Sequence, residues 1–143
     1  NKNTDLLLYM AARSENIEII KRTFNKKIIL IDRFTDSTIA YQHFGMGVDL
    51  NLIETLNKSL LRNIKVSFTF LNIVNQKNLK QRLKQRKSLN RYDKFKMSFY
   101  SKVQKGFIKL SKKQKNKYQL INSNLEINKN EKLILSKIDK LIK

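Results

Sequence analysis

The sequence contains no cysteine, so neither a disulfide framework nor a thiolate metal site is open to it. It has one histidine, His43, which excludes most histidine-rich metal sites, and nothing near it forms a catalytic triad. Proline is absent, and glycine occurs only at 45, 47 and 106. A Walker loop, Gly-x-x-x-x-Gly-Lys followed by Ser or Thr, therefore cannot be placed anywhere in the 143 residues. Gly45 and Gly47 read instead as a turn that needs positive φ. No apolar stretch approaches the roughly 20 residues of a membrane span, and nothing resembles a signal peptide. The expected compartment is cytoplasmic, with no membrane partner.

Acidic residues are also scarce: 11 stand against 31 lysines and arginines, a net charge of +20. The imbalance sits in the second half, where residues 77–143 carry twenty-one basic and four acidic side chains against ten and seven in residues 1–76. A basic surface releases counterions when it meets a phosphate backbone, so a nucleic-acid-binding module in residues 77–143 is one reading. Of the basic residues 24 are lysine, scattered among Asn and Ile, which fits a drift in composition and solvated helix faces better than a selected binding surface. Nucleic acid is not the expected partner.

What is present is the makings of one α/β domain, expected to span 1–143; the chain is long enough for one core and too short for two. The run Ile28-Ile29-Leu30-Ile31 has no polar alternation, so it reads as a strand over Lys27–Asp32 covered on both faces, as in a parallel sheet flanked by helices. Ligands in such sheets bind beyond the carboxyl ends of the strands, where Asp32 and Arg33 fall, an acid and a guanidinium suited to a metal and a phosphate. An ordinary surface ion pair is the alternative. A first helix is expected over Asp5–Lys21, capped by Thr4 or Asp5 and buried near its start. Further helices are expected from Asp36 or Ser37, over Asp49–Leu61, from Asn75 to Lys87, from Tyr92 to Lys115 and over Glu131–Ile142. Lys65–Ile73 and Tyr118–Ile121 read as further strands.

Arg13 follows an apolar stretch, Leu6 to Ala12, and a buried arginine calls for an anionic partner: a bound phosphate or a carboxylate such as Glu18 or Asp36. Tyr9 lies one helical turn earlier, where its ring could stack on a base or simply fill the core. Arg82, Arg86 and Arg91 cluster in a helix-break-helix segment, with Arg82 and Arg86 on one helical face. Such a segment suits closure over a transferring phosphoryl group, although helix surfaces also collect arginines for solubility.

Taken together, these segments resemble the thymidylate kinase family, which phosphorylates dTMP with ATP. The resemblance rests on Leu7-Leu8-Tyr9-Met10-Ala11-Ala12-Arg13, on Asp32-Arg33-Phe34 with Asp36-Ser37-Thr38-Ile39-Ala40-Tyr41-Gln42, and on Gln85-Arg86-Lys87-Ser88-Leu89-Asn90-Arg91-Tyr92-Asp93. It implies part of a P-loop NTPase nucleoside monophosphate kinase fold, a parallel sheet with a helical lid at about 80–93, lacking its first strands and its ATP phosphate cradle. By resemblance Tyr9 stacks on thymine, Arg13 and Arg33 grip the dTMP phosphate, Thr38 and Gln42 bond the base edge, and Tyr41 packs beside the sugar. Asp32 helps organise magnesium, which arrives with ATP, without ligating it directly. Arg86 and Arg91, with Arg82, come down with the lid, and Asp32, Arg33, Arg86 and Arg91 form the catalytic set. A homodimer is implied for the complete enzyme, and a kinase for another deoxynucleoside monophosphate is the near alternative. Met46, His43, Lys87 and Asn90 depart from the family's turn and lid patterns.

Overall fold

A computed structural model describes residues 1–142, whose contacts group into two compact units. The first comprises Asn1–Val66 with Lys102–Leu110, the second Ser67–Ser101 with Ser111 onwards.

In the first unit, helix α1 (Lys2–Thr23) is capped by Asn1, whose side chain accepts from the Asn3 amide, rather than by Thr4 or Asp5. The helix therefore starts a turn earlier than its apolar pattern suggests. It buries Leu6, Met10, Arg13, Ile17 and Ile20, spaced three and four apart as one helical face requires. Leu7 and Leu8 point outward, so only part of the apolar stretch near the start is inside. Helix α2 (Thr35–Thr38) runs on into a π-helical segment, Ile39–Gly45. Helix α3 (Leu50–Leu61) begins at Asp49, whose carboxylate accepts from Leu52 N at 2.8 Å, a cap worth about 1 kcal/mol. Leu6, Met10, Ile39, Val48 and Ile53 form the core, with Phe44, Leu56 and Leu110 packed against it.

The expected strand over Lys27–Asp32 is not formed: the segment is irregular and pairs with no strand among the described residues. Its side chains are open, Ile28 at 65% and Leu30 at 79% exposure. A doubly covered strand exists only when neighbouring strands supply its ladder and helices its faces, and the described residues supply neither to this run.

The second unit holds a two-stranded parallel sheet, β1 (Thr69–Ile73) with β2 (Tyr118–Asn122), in register Thr69 to Tyr118 through Ile73 to Asn122. Parallel pairing requires a long crossover, and helices lie between the two strands in sequence. Leu71 and Ile121 are its buried positions. Helix α4 (Gln76–Lys84) is capped by Asn75 and ends three residues before the expected Lys87. Irregular backbone and one 3₁₀ turn (Tyr92–Lys94) lead to α5 (Met97–Lys113), whose residues Lys102–Leu110 group with the first unit, and α6 (Ile127–Ile142) closes the described chain. Among the described residues no helix is long and apolar enough to cross a membrane.

Candidate active site

Arg13 is anchored in the first unit by four hydrogen bonds. From α1 its Nη1 donates to Asn57 Oδ1 at 2.7 Å and to the Met10 sulfur at 3.6 Å; its Nη2 donates to Thr38 Oγ1 at 2.7 Å and to the Phe34 carbonyl at 3.1 Å. Three helical elements are tied together by one guanidinium that is only 8% exposed. All four acceptors are neutral. The expected carboxylate partner at Glu18 is not used, because Glu18 pairs with Lys21 at 2.6 Å on the outside of the helix. Neutral acceptors take the hydrogen bonds of both Nη atoms, and the other expected carboxylate, Asp36, acts on Arg13 through its charge. Burial pushes the Arg13 guanidinium below its ordinary value, and the charge of Asp36 acts in the opposite direction.

The segment that meets Arg13 is unusual in its backbone. Arg33 has φ of +63°, the left-handed region that a side chain with a Cβ rarely occupies. This places its guanidinium over the Tyr41 ring, 5.1 Å from the centroid, while Asp32 and Arg33 stay exposed. The π-helical turn that follows carries Tyr41 half-buried and Gln42 fully buried, and π segments occur often at functional sites. The turn closes where the Val48 amide donates to Gln42 O at 2.9 Å and Gly47 N to His43 O at 2.8 Å, with Gly47 at φ +71°. His43 Nδ1 also lies 2.8 Å from the Val48 carbonyl. A carbonyl only accepts, so Nδ1 carries the proton and the ring serves the turn.

Tyr9, Arg13, Asp32, Arg33, Thr38, Tyr41 and Gln42 all fall in the first unit, and Arg82, Arg86 and Arg91 in the second. Arg13 joins Thr38 directly and Arg33 joins Tyr41; Tyr9 is partly exposed on α1. Thr38 and Gln42 are covered. Arg82 and Arg86 do not share a helical face, because α4 stops at Lys84. Arg82 donates to the Ser123 carbonyl at 2.6 Å, and Arg86 pairs with Asp93 at 2.6 Å. Asp93 also accepts from the Asn90 amide, and Asn90 Oδ1 accepts from the Asp93 amide, so this loop is stitched closed. Asn57, Met10 and the Phe34 carbonyl escaped the sequence reading. For Asn57 a signal exists: it lies four residues after Ile53, on the buried face of α3.

The thymidylate kinase family profile matches residues 1–134. The chain belongs to the thymidylate kinase family. Thymidylate kinase from Wolbachia pipientis wMel is 35% identical over 113 residues, 78% of this chain and 56% of that protein. The enzyme from Anaplasma phagocytophilum is 35% identical over 123 residues, 85% of this chain and 54% of that one. Among solved structures, thymidylate kinase from Ehrlichia chaffeensis superimposes with a TM-score of 0.70 at 28% identity, covering all of this chain and 67% of that one. The chain spans about half the length of the curated thymidylate kinases it matches. Its fold is accordingly part of that of a P-loop nucleoside monophosphate kinase.

Magnesium does not fit the residues of this chain taken alone. Among the described residues no three acidic or histidine side chains gather as a metal cage, and Asp32 is a lone exposed carboxylate. A small hard cation held by one carboxylate takes its other ligands from water and substrate phosphate.

Proposed function

We propose that this chain carries the acceptor side of a thymidylate kinase site, the part that binds dTMP, in an enzyme that transfers the γ-phosphoryl group of ATP to dTMP. The observation that carries the reading is the anchored Arg13, which ties α1, bearing Tyr9, to the turn bearing Arg33, Thr38, Tyr41 and Gln42. Tyr9 offers a half-open ring for thymine to stack on, and Thr38 and Gln42 bring a hydroxyl and an amide suited to a pyrimidine edge. Arg33 is exposed and forked, the geometry that grips a phosphate bidentately. Arg13 contributes positive charge from within the core, and Tyr41 packs beside the sugar.

In the transfer an oxygen of the dTMP phosphate bonds to the γ-phosphorus while the bond to the β-bridging oxygen breaks, and ADP leaves with that electron pair. Arg33 stabilises charge on the acceptor side, and Arg86 and Arg91, with Arg82, carry guanidinium groups of the lid segment suited to charge on a transferring phosphoryl group. ATP would bring its own magnesium, and Asp32 is the carboxylate of this chain that would meet it through water. The complete enzyme is read as a cytoplasmic homodimer.

Calorimetric titration of the 143-residue chain with dTMP, dUMP, dCMP and dGMP tests the reading. Saturable binding with preference for dTMP is expected, and ATP plus dTMP should give no ADP, because no Walker pattern exists in the chain to cradle the donor. Absence of dTMP binding overturns the acceptor-site assignment; preference for another monophosphate overturns the substrate.

A further inference from the structure

Asn57 is a neutral amide where a carboxylate would be the obvious partner for a buried guanidinium. It lies in the interior of α3, where asparagine is a mediocre helix former, and it is only 8% exposed. Its Oδ1 accepts from Arg13 Nη1 at 2.7 Å, with the Met10 sulfur at 3.6 Å from the same nitrogen. The opposite end of the fork, Nη2, is thereby turned onto Thr38 Oγ1 and the Phe34 carbonyl. An aspartate of the same shape would also orient the fork, and it would cancel the charge. The four acceptors of Arg13 orient it and carry no charge, so Asp36 acts on the guanidinium from outside this hydrogen-bond network.

We propose that Asn57 is a positioning residue for the monophosphate site: it fixes the plane of the Arg13 guanidinium while leaving its positive charge available to the bound nucleotide. The use of that charge rests on the acceptor-site reading above. The fixing of the guanidinium plane does not.

Two measurements separate these parts. In ¹⁵N spectra of the intact chain, exchange between the two Nη nitrogens of Arg13 should be slow. In Asn57→Leu it should be faster by about tenfold or more, the loss of one hydrogen bond to a charged group. Unchanged exchange overturns the positioning role. If circular dichroism shows that Asn57→Leu does not fold, Asn57→Ser, too short to reach Arg13, carries the same measurement. The second measurement is dTMP titration of Asn57→Asp, which keeps shape and acceptor. Weakening by about tenfold or more, with thermal stability at least that of the parent, is expected from neutralising Arg13. A purely structural amide predicts parental affinity, and that result overturns the charge-sparing role. Failure of the parent chain itself to bind dTMP overturns the acceptor-site reading and with it the charge-sparing role, while the exchange measurement still decides the positioning.

Discussion

Two arginines, one in each unit, are held in opposite ways. Arg13 is buried and surrounded by neutral oxygen and sulfur acceptors; Arg86 is half in solvent, its side chain 52% exposed, and faces the carboxylate of Asp93. The first arrangement holds a charge in a rigid place with no carboxylate among its hydrogen-bond acceptors, and removing it strands acceptors on the largely buried Thr38 and Asn57. The second is an ion pair open to solvent on its arginine side alone, where water and salt compete for the guanidinium and reduce its net contribution. Rigid, pre-oriented charge suits the recognition of a substrate, and an easily broken pair suits the lid role proposed for the segment of Arg86. The comparison can be broken at either end.

The largest expected effect is on the buried side. Arg13→Met keeps the volume and the helix former while leaving Asn57, Thr38 and the Phe34 carbonyl without their donor. Each stranded acceptor costs of the order of 1–3 kcal/mol, not additively, and a total loss of about 3 kcal/mol is expected in urea unfolding. A loss below about 1 kcal/mol would mean that water reaches the network, and the contrast with Arg86 would vanish.

Arg33 sharpens the comparison from a third position, exposed like Arg86 yet strained in its backbone. Left-handed conformation costs a residue with a Cβ about 1–2 kcal/mol, and strain of this kind persists where the surroundings enforce it. Arg33→Gly removes the strain, loses the contact with Tyr41 and adds unfolded-state entropy. These terms oppose one another, and the stability change should stay within about 1 kcal/mol. Affinity for dTMP should fall about a hundredfold, equivalent to roughly 2.7 kcal/mol, as one charged phosphate contact is lost. Equal losses in stability and affinity would make Arg33 a structural residue.

Much of this was legible in the chain. Arg13 had to be inside because Leu6 and Met10 place one helical face there, and β-branched and aromatic residues announce the strands expected at Lys65–Ile73 and Tyr118–Ile121, which form over Thr69–Ile73 and Tyr118–Asn122. The failures have two causes: some deciding partners lie far along the sequence, and some are nearby side-chain acceptors that outweigh the helical pattern. Ile28–Ile31 has the composition of a doubly covered strand, but composition cannot say whether the covering strands are at hand. Asn1 captured the start of α1 because a side-chain acceptor outweighs the apolar period at a helix end. Residues 85–87 are good helix formers, yet α4 stops at Lys84 where the loop is drawn onto Asp93. Asn57 was visible only as a polar residue at a buried helical position, and its meaning depended on Arg13, 44 residues away.

The smallest expected effect returns to Arg86. Replacing it with alanine removes the 2.6 Å contact to Asp93, but Asp93 keeps the hydrogen bonds with Asn90 that close the loop. With half of the arginine side chain already in water, the loss should be about 0.5 kcal/mol in urea unfolding, and smaller still at 1 M salt, where the Debye length shrinks to about 3 Å. Asp93, only 6% exposed in its side chain, is the stronger half of the pair. Asp93→Ala also frees the Asn90 amide and should cost about 1 kcal/mol, the value of a lost cap. Measuring both variants at low and high salt tells a screened surface pair from a buried one. If Arg86→Ala matched the loss in Arg13→Met and ignored salt, the two units would hold their arginines by the same means, and easy release of Arg86 from its loop would no longer follow.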